Sequence, residues 1–384
     1  MAGRGQGGRR HSALRAVRLK PRAAAQDGTG AGARSALWSI VLAGGKGERF
    51  WPLSRARRPK PLVDLGTGRS LLQETILRAR RVSAPSRIRV VAGPALERLM
   101  RKELGRLGKS GMIVEPAARN TGPAALLASR WVWEKDPGGT LLVLPSDHRV
   151  VGQQAFRLAV EKARKLAARG YLVTFGIRPA GPVPDYGYIV RGDSIGALGH
   201  RVARFVEKPP VAAARRLLRH GEALWNSGMF VWRADRFLEE ASRCEPAFAR
   251  WLQRCGRGGG MGAEAREAFV HLPNVPVDRA VLERSKRVAV VEARFEWSDL
   301  GAWAALHDLG KKDARGNVGW GKFAAIDAGE NLTFSSDGIV VLAGVKGLLV
   351  AREKDVVLVC PRGRASRMRE ILALLRKRGH GGYL

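Results

Sequence analysis

Trp38-Ser39-Ile40-Val41-Leu42-Ala43-Gly44-Gly45-Lys46-Gly47-Glu48-Arg49-Phe50-Trp51-Pro52-Leu53-Ser54 is an apolar run that breaks into glycines and cations. The aliphatic residues of 38–43 predict a strand buried on both faces. Glycines directly after a strand let backbone N–H groups approach a phosphate chain, and Lys46, Arg49 and, beyond Pro59, Lys60 can neutralise its charge. The combination reads as a triphosphate cradle; a plain Gly-rich turn is the other reading these residues allow. The dinucleotide fingerprint GxGxxG is missing, because Gly45-Lys46-Gly47 is followed by Glu48, Arg49 and Phe50. A second glycine pattern, Gly316 to Lys322, fits GxxxxGK, but Phe323 stands where a Ser or Thr would hold Mg²⁺ and no helix pattern follows.

Outward from this stretch, apolar runs at 88–92, 112–114, 141–144 and 172–177 alternate with helical patterns near 70–81, 94–106, 121–134 and 153–168. Strands alternating with helices predict an α/β fold, a Rossmann-like doubly wound and mostly parallel sheet with ligands at the carboxyl ends of its strands. Beyond 178 the strands become shorter (186–191, 202–206, 228–233, 288–295), with helices near 210–219, 235–243, 264–270 and 278–285. This half is expected to receive a second substrate. After Asp313, β-rich runs at 323–327, 339–343, 347–352 and 356–360 and a helix at 363–378 predict a small β-rich C-terminal appendage without a fixed repeat. The expected units are a basic arm over 1–34, an α/β domain over 35–313 and the appendage over 314–384.

The arm is rich in Gly, Ala and Arg with no hydrophobic period, so it is expected to be disordered; an organellar transit peptide has a similar composition. The chain has 384 residues, 45% of them hydrophobic, enough for a large core, and no apolar run of the roughly 20 residues that a membrane helix needs. No membrane partner is expected. Cys244, Cys255 and Cys360 are too few and too scattered for a disulfide framework or a CxxC metal site, which fits a cytoplasmic setting. A net charge of +34 attracts polyanions. The basic residues are spread along the chain, however, and no zinc finger, RRM signature or aromatic-basic ladder accompanies them, so a nucleic-acid partner is not the expectation.

Further motifs follow in order: Glu115-Pro116 with Arg119-Asn120-Thr121, Pro145-Ser146-Asp147-His148, Tyr186-Gly187-Tyr188-Ile189, Phe205-Val206-Glu207-Lys208-Pro209, Trp225-Asn226-Ser227-Gly228-Met229-Phe230 and Trp297-Ser298-Asp299-Leu300-Gly301. Asp147 follows an apolar strand, where a carboxylate can hold Mg²⁺ against triphosphate oxygens or cap the next helix. Glu115 could accept the adjacent N1–H and N2–H donors of guanine, or be a solvated strand-end residue. Lys208 is placed to pair with a sugar phosphate while Glu207 orients a hydroxyl; a surface ion pair is the alternative. Asn226 offers the donor and acceptors that sugar hydroxyls require. His148 reads as a hydrogen-bonding residue and not as a base.

Together with Gly44 through Ser54 and Pro59-Lys60-Pro61, these blocks resemble the sugar-1-phosphate nucleotidyltransferases, most of all the bacterial mannose-1-phosphate guanylyltransferases, from about Trp38 to the C-terminus. The resemblance implies GTP and mannose 1-phosphate as substrates and Mg²⁺ as cofactor, held by Asp147 and Asp299. It implies a nucleotide site of Leu42, Gly44, Gly45, Lys46, Gly47, Glu115, Asn120, Thr121 and Gly122. A sugar-phosphate site would be formed by Gly187, Tyr188, Glu207, Lys208 and Asn226. Arg49, Lys60, Asp147, Lys208 and Asp299 would carry the chemistry, an in-line displacement at the α-phosphorus without a covalent intermediate. Three departures stand out. Pro184-Asp185 replaces the usual Thr-Gly, and Pro61-Leu62 follows Lys60 where many relatives have Gln-Phe. The chain also ends at Leu384 without room for the cupin-like isomerase domain of longer relatives, so a single activity is expected. Another nucleotide or hexose 1-phosphate, a catalytically silent nucleotide-sugar sensor and a basic scaffold remain competing readings; a homodimer is one arrangement open to the chain.

Overall fold

The computed structural model describes residues 36–45, 47–105, 111–219, 221–256 and 261–384. The basic arm and Lys46 lie outside them. The strands are β1 (Leu37–Leu42), β2 (Ile88–Ala92), β3 (Gly111–Val114), β4 (Thr140–Pro145), β5 (Arg149–Val151), β6 (Leu172–Ile177), β7 (Tyr188–Ser194), β8 (His200–Val206), β9 (Ala223–Arg233), β10 (Val288–Glu292), β11 (Glu296–Ser298), β12 (Val318–Ile326), β13 (Leu332–Ala343), β14 (Leu348–Glu353) and β15 (Val356–Pro361). The helices are α1 (Leu71–Ala79), α2 (Pro94–Gly105), α3 (Thr121–Lys135), α4 (Gln153–Ala168), α5 (Val211–Leu218), α6 (Ala234–Cys244), α7 (Pro246–Arg254), α8 (Ala263–Val270), α9 (Trp303–Leu309) and α10 (Met368–Lys377).

The main sheet has nine strands in the order β3-β2-β1-β4-β9-β6-β10-β8-β7. β3, β2, β1 and β4 run parallel, as the βα alternation predicts. The rest is mixed: β9 is antiparallel to both β4 and β6, while β6 and β10 are parallel. β4 shows why its sequence has no polar residue between Leu141 and Leu144. Leu141 and Val143 enter the core under α3 and α6, Leu142 and Leu144 enter the core under α4, and all four are fully buried. Local signals start the elements where expected. Ser70 accepts the Gln73 N–H at 3.2 Å and Gln73 Oε1 accepts the Ser70 N–H at 3.1 Å, a capping box that opens α1.

Three elements depart from expectation. β9 begins at Ala223, so Trp225-Asn226-Ser227 lies inside the strand and not before it. β5 and β11 form a two-stranded clip that three-residue runs do not announce. The C-terminal β-rich segment is a short β-helical coil: β12, β13 and β14 stack in parallel without helical crossovers, and β15 closes them antiparallel.

Val318, Leu332 and Leu349 sit in register on successive rungs and are all fully buried. Asn317 and Asn331 stack beside them, with Asn331 Nδ2 donating to Asn317 Oδ1 at 2.9 Å and Leu348 N donating to Asn331 Oδ1 at 2.8 Å. The coil shares its core with the segment that follows the glycine-rich turn after β1, since Phe50, Trp51, Leu53 and Val63 pack in one cluster with Trp303, Leu332, Leu349, Met368 and Leu372. No helix among the described residues is long and apolar enough to cross a membrane.

Candidate active site

The chain runs from β1 outward to β2 and β3, then returns to β4 on the other side of β1. This reversal leaves a crevice at the carboxyl ends of β1 and β4, the place where parallel sheets bind ligands. A cavity of about 540 Å³ occupies it, lined on its edges by Gly44, Glu115, Asp147, Glu207, Asn226 and Asp299. A second lobe of about 500 Å³ continues past Gly45, Asp147, His148 and Asp299, residues common to both, to Gly47, Arg49 and Lys60.

In the turn after β1, Gly44 and Gly45 leave open space above their backbone. Gly47 adopts φ +71°, and a side chain there would collide with Lys60; its carbonyl accepts the Ser54 hydroxyl. Lys60 is buried, and its Nζ pairs with Asp147 Oδ2 at 2.8 Å while donating to the Asp299 carbonyl at 2.7 Å. Burial alone would raise the Asp147 carboxyl, but Lys60 and His148 outweigh it and hold it below the usual carboxylate range. Asp299 Oδ1 accepts the Tyr186 hydroxyl at 3.0 Å and the Gly301 N–H at 2.8 Å. Burial, and then the Asp299 charge, push the Tyr186 phenol well above its ordinary range. Arg49 Nη1 lies 3.2 Å from Asp185 Oδ2, so the departure at Asp185 ties this cation to the opposite loop.

The two aspartates suit a hard divalent ion. Both offer carboxylate oxygens, the donors such an ion takes, and both line the junction of the two lobes. Such a site leaves coordination positions for water and phosphate, as Mg²⁺ demands.

At the far end of the first lobe, Glu115 is 4% exposed and its Oε1 has no hydrogen-bond partner. Burial pushes its carboxyl up to about 7. Asn120, at φ +73°, caps α3 by accepting the Thr121 N–H at 2.9 Å, and both residues line the cleft. The Gly122 N–H is committed to the Val275 carbonyl at 3.0 Å, so Gly122 fixes the loop behind the pocket and offers no free donor.

Across the cleft, a Cβ at Gly187 would lie 2.5 Å from Glu207 Oε2, so glycine is what lets that carboxylate reach the floor. Glu207 Oε1 pairs with Lys208 Nζ at 3.0 Å. Asn226 is more constrained than its sequence suggests: its Oδ1 accepts from Thr174 Oγ1 at 2.9 Å and Gly228 N at 3.2 Å, and its Nδ2 donates to Asp278 Oδ1 at 2.8 Å. Tyr188 is fully buried and its hydroxyl bonds to Val183, so it does not reach the cleft. Tyr186 lines the cleft in its place, between the rings of Trp225 and Trp297 at 4.9 and 5.3 Å. His148 Nδ1 meets Trp297 Nε1 at 3.2 Å, in keeping with a structural role.

The cleft also contains residues that sequence reasoning missed. Asp278 reads in sequence only as a helix start, Asp185 only as a departure from the usual Thr-Gly, and Tyr186 only as the first residue of a strand. Arg119 lines the cleft with a buried, unpartnered Nε, and Arg369 reaches the second lobe from α10.

Residues 38–316 match the family model described as nucleotidyl transferase, and residues 321–375 match the mannose-phosphate isomerase/GMP-like β-helix domain. The mannose-1-phosphate guanylyltransferase of Escherichia coli K12 is 37% identical over 366 residues, covering 90% of this chain and 75% of that protein. The xanthan biosynthesis protein XanB of Xanthomonas campestris is 38% identical over 346 residues, covering 88% of this chain and 73% of that protein. A crystal structure from Thermus thermophilus, described as a mannose-1-phosphate geranyltransferase, superimposes with a TM-score of 0.82 at 35% identity, over 88% of this chain and 99% of that one. The chain belongs to the nucleotidyl transferase family of enzymes, and within it to the mannose-1-phosphate guanylyltransferases.

Proposed function

We propose that this enzyme transfers GMP from GTP to mannose 1-phosphate, giving GDP-mannose and pyrophosphate with Mg²⁺ as the metal. The observation that carries the proposal is a single cleft with three chemistries in sequence. A buried, unpartnered carboxylate at Glu115 stands at one end, two aspartates with Lys60 at the junction, and Glu207, Lys208 and Asn226 on the facing wall. The names of the relatives from Escherichia coli and Xanthomonas point the same way and suggest a product used in polysaccharide synthesis.

Glu115 would accept the two adjacent donors of guanine, a pair that adenine, uracil and thymine do not offer. Glu207 and the remaining N–H of Asn226 would hold sugar hydroxyls, and Lys208 would hold the sugar phosphate. A phosphate oxygen of the sugar then attacks the α-phosphorus in line, one P–O bond forms, and the bond to the leaving pyrophosphate breaks. Asp147 and Asp299 would hold Mg²⁺, which supplies Lewis-acid charge stabilisation at the phosphates. Lys60 and Arg49, with Lys46 outside the described residues, would supply the protein's own positive charge as the leaving group develops. A cytoplasmic setting belongs to the same proposal. So does a homodimer, which the exposed Ile326, Ile339 and Val341 of the coil support.

The test is pyrophosphate release with Mg²⁺, crossing GTP, ATP, UTP and dTTP against mannose 1-phosphate and glucose 1-phosphate, with Asp147→Ala as control. Release confined to GTP with mannose 1-phosphate and lost in the variant supports the assignment. Equal turnover of another pair shifts the substrate, and no release with any pair favours a silent sensor or a scaffold.

A further inference from the structure

The two lobes of the cleft divide the reaction between them. Glu115, Glu207 and Asn226 line only the first, while Gly47, Glu48, Arg49 and Lys60 line only the second. The aspartates stand at the junction. A nucleotide seated with its base at Glu115 and its α-phosphate at the aspartates must therefore direct its β- and γ-phosphates into the second lobe. The positive charge already there is partly spent: Lys60 is paired with Asp147, and Arg49 with Asp185.

One further cation lines this lobe, Arg369, from α10 of the C-terminal coil. Its neighbour Glu370 is paired with Arg367, and among the described residues none pairs with Arg369. The helix that carries it is fixed against the phosphate loop. Met368 and Leu372 pack in the same core as Phe50 and Trp51, Arg376 Nη2 lies 3.6 Å from Glu48 Oε1, and Trp51 Nε1 donates to the Tyr383 carbonyl at 2.9 Å. The backbone of α10 is thereby held beside the lobe, and the exposed Arg369 guanidinium that it carries has the forked donors that match phosphate oxygens.

We propose that Arg369 is a substrate-binding residue that holds the β- and γ-phosphates of the triphosphate and the pyrophosphate they become. The proposal rests on the nucleotidyl-transfer reading above and gives the coil a direct part in it.

The experiment compares the full-length wild-type chain with Arg369→Ala and Arg369→Lys. With Mg²⁺ present, equilibrium binding of GTP, inorganic pyrophosphate and GDP-mannose is measured together with turnover and thermal stability. In Arg369→Ala, the dissociation constants of GTP and pyrophosphate should rise about tenfold, the factor expected for one lost charge-assisted hydrogen bond. Binding of GDP-mannose, which lacks the leaving phosphates, should not change, nor should Tm, and Arg369→Lys should recover part of the loss. Unchanged pyrophosphate binding overturns the proposal. So does an equal weakening of GDP-mannose, which would mark a merely structural residue. If wild type binds pyrophosphate in an Arg369-dependent way but forms no GDP-mannose, the substrate assignment fails while the phosphate site stands.

Discussion

Asn226 and Asp278, which both line the cleft, are joined by a 2.8 Å hydrogen bond from Nδ2 to Oδ1, and both side chains are buried. The bond holds the amide in one orientation, because its oxygen is already engaged by Thr174 and Gly228. It also puts a carboxylate where charge is unwelcome. Burial first, and then the neighbouring Glu207, push the Asp278 carboxyl up to about 7.

A raised carboxyl pKa gives the folded state a preference for the proton. That contribution is complete below about pH 4 and is lost as pH rises through about 7. The isosteric Asp278→Asn should therefore raise Tm by roughly 2 °C at pH 8 and by much less at pH 5. It should also raise the KM for mannose 1-phosphate, because the amide can present a donor where Asn226 needs an acceptor. Melting curves at the two pH values decide the point; a Tm change of the same sign and size at both would show that the charge at Asp278 is not what matters.

Glu115 provides a second titration, this one coupled to substrate. Burial pushes its carboxyl up to about 7, yet guanine requires the ionised form. Binding must then release a proton at lower pH, and the affinity for GTP should fall by up to about tenfold per pH unit below 7. Glu115→Gln should remove this slope and raise the KM for GTP at pH 8 about tenfold, while leaving the KM for mannose 1-phosphate in place. Because the phosphates of GTP titrate identically against both proteins, the difference between the two pH profiles isolates Glu115, and parallel profiles would refute its role.

How much of this was legible in sequence depended on whether a signal was local. The parallel strands were, because Leu141 to Leu144 must be apolar on both faces; so was the glycine-rich turn after β1, although its residues alone left a phosphate cradle and a plain turn both open. Tyr188 was misjudged for a reason of register. Tyr186 and Tyr188 are two residues apart and would share a face in a continuous strand, but β7 begins at Tyr188, so Tyr186 belongs to the loop and turns into the cleft. Asp278 reaches Asn226 from 52 residues away, and neither residue announces the other. The coil hid its repeat because Val318, Leu332 and Leu349 fall on one stack at steps of 14 and 17 residues, an interval too uneven to register as a period.

Gly187 is a case where one methyl group tests a whole wall of the site. Its added Cβ would lie 2.5 Å from Glu207 Oε2 and 3.2 Å from Asn226 Cβ, so the carboxylate must move. Gly187→Ala should raise the KM for mannose 1-phosphate about tenfold or more, with the KM for GTP unchanged, since Glu115 and the phosphate loop lie elsewhere. Steady-state kinetics with each substrate varied in turn would show the split; an equal rise in both constants would mean that the two walls are not independent.

Asn331 tests whether the coil supports catalysis. It is fully buried, and its side chain joins three rungs: Nδ2 donates to Asn317 Oδ1 and to the Val345 carbonyl at 3.1 Å, and Oδ1 accepts from Leu348 N. Asn331→Ala would leave the Leu348 N–H without its acceptor and take one donor each from Asn317 Oδ1 and the Val345 carbonyl, at a cost of about 2–4 kcal/mol. The damage should not stay in the coil, because Leu332 packs in the cluster that contains Phe50 and Trp51 under the phosphate loop, and Arg369 depends on the same support. With temperature raised toward the variant's own Tm, the KM for GTP should climb before the sheet unfolds, while the KM for mannose 1-phosphate stays flat. If activity and far-UV signal are instead lost together at one temperature, the coil and the sheet form a single cooperative unit and the coil has no separate hold on the phosphate lobe.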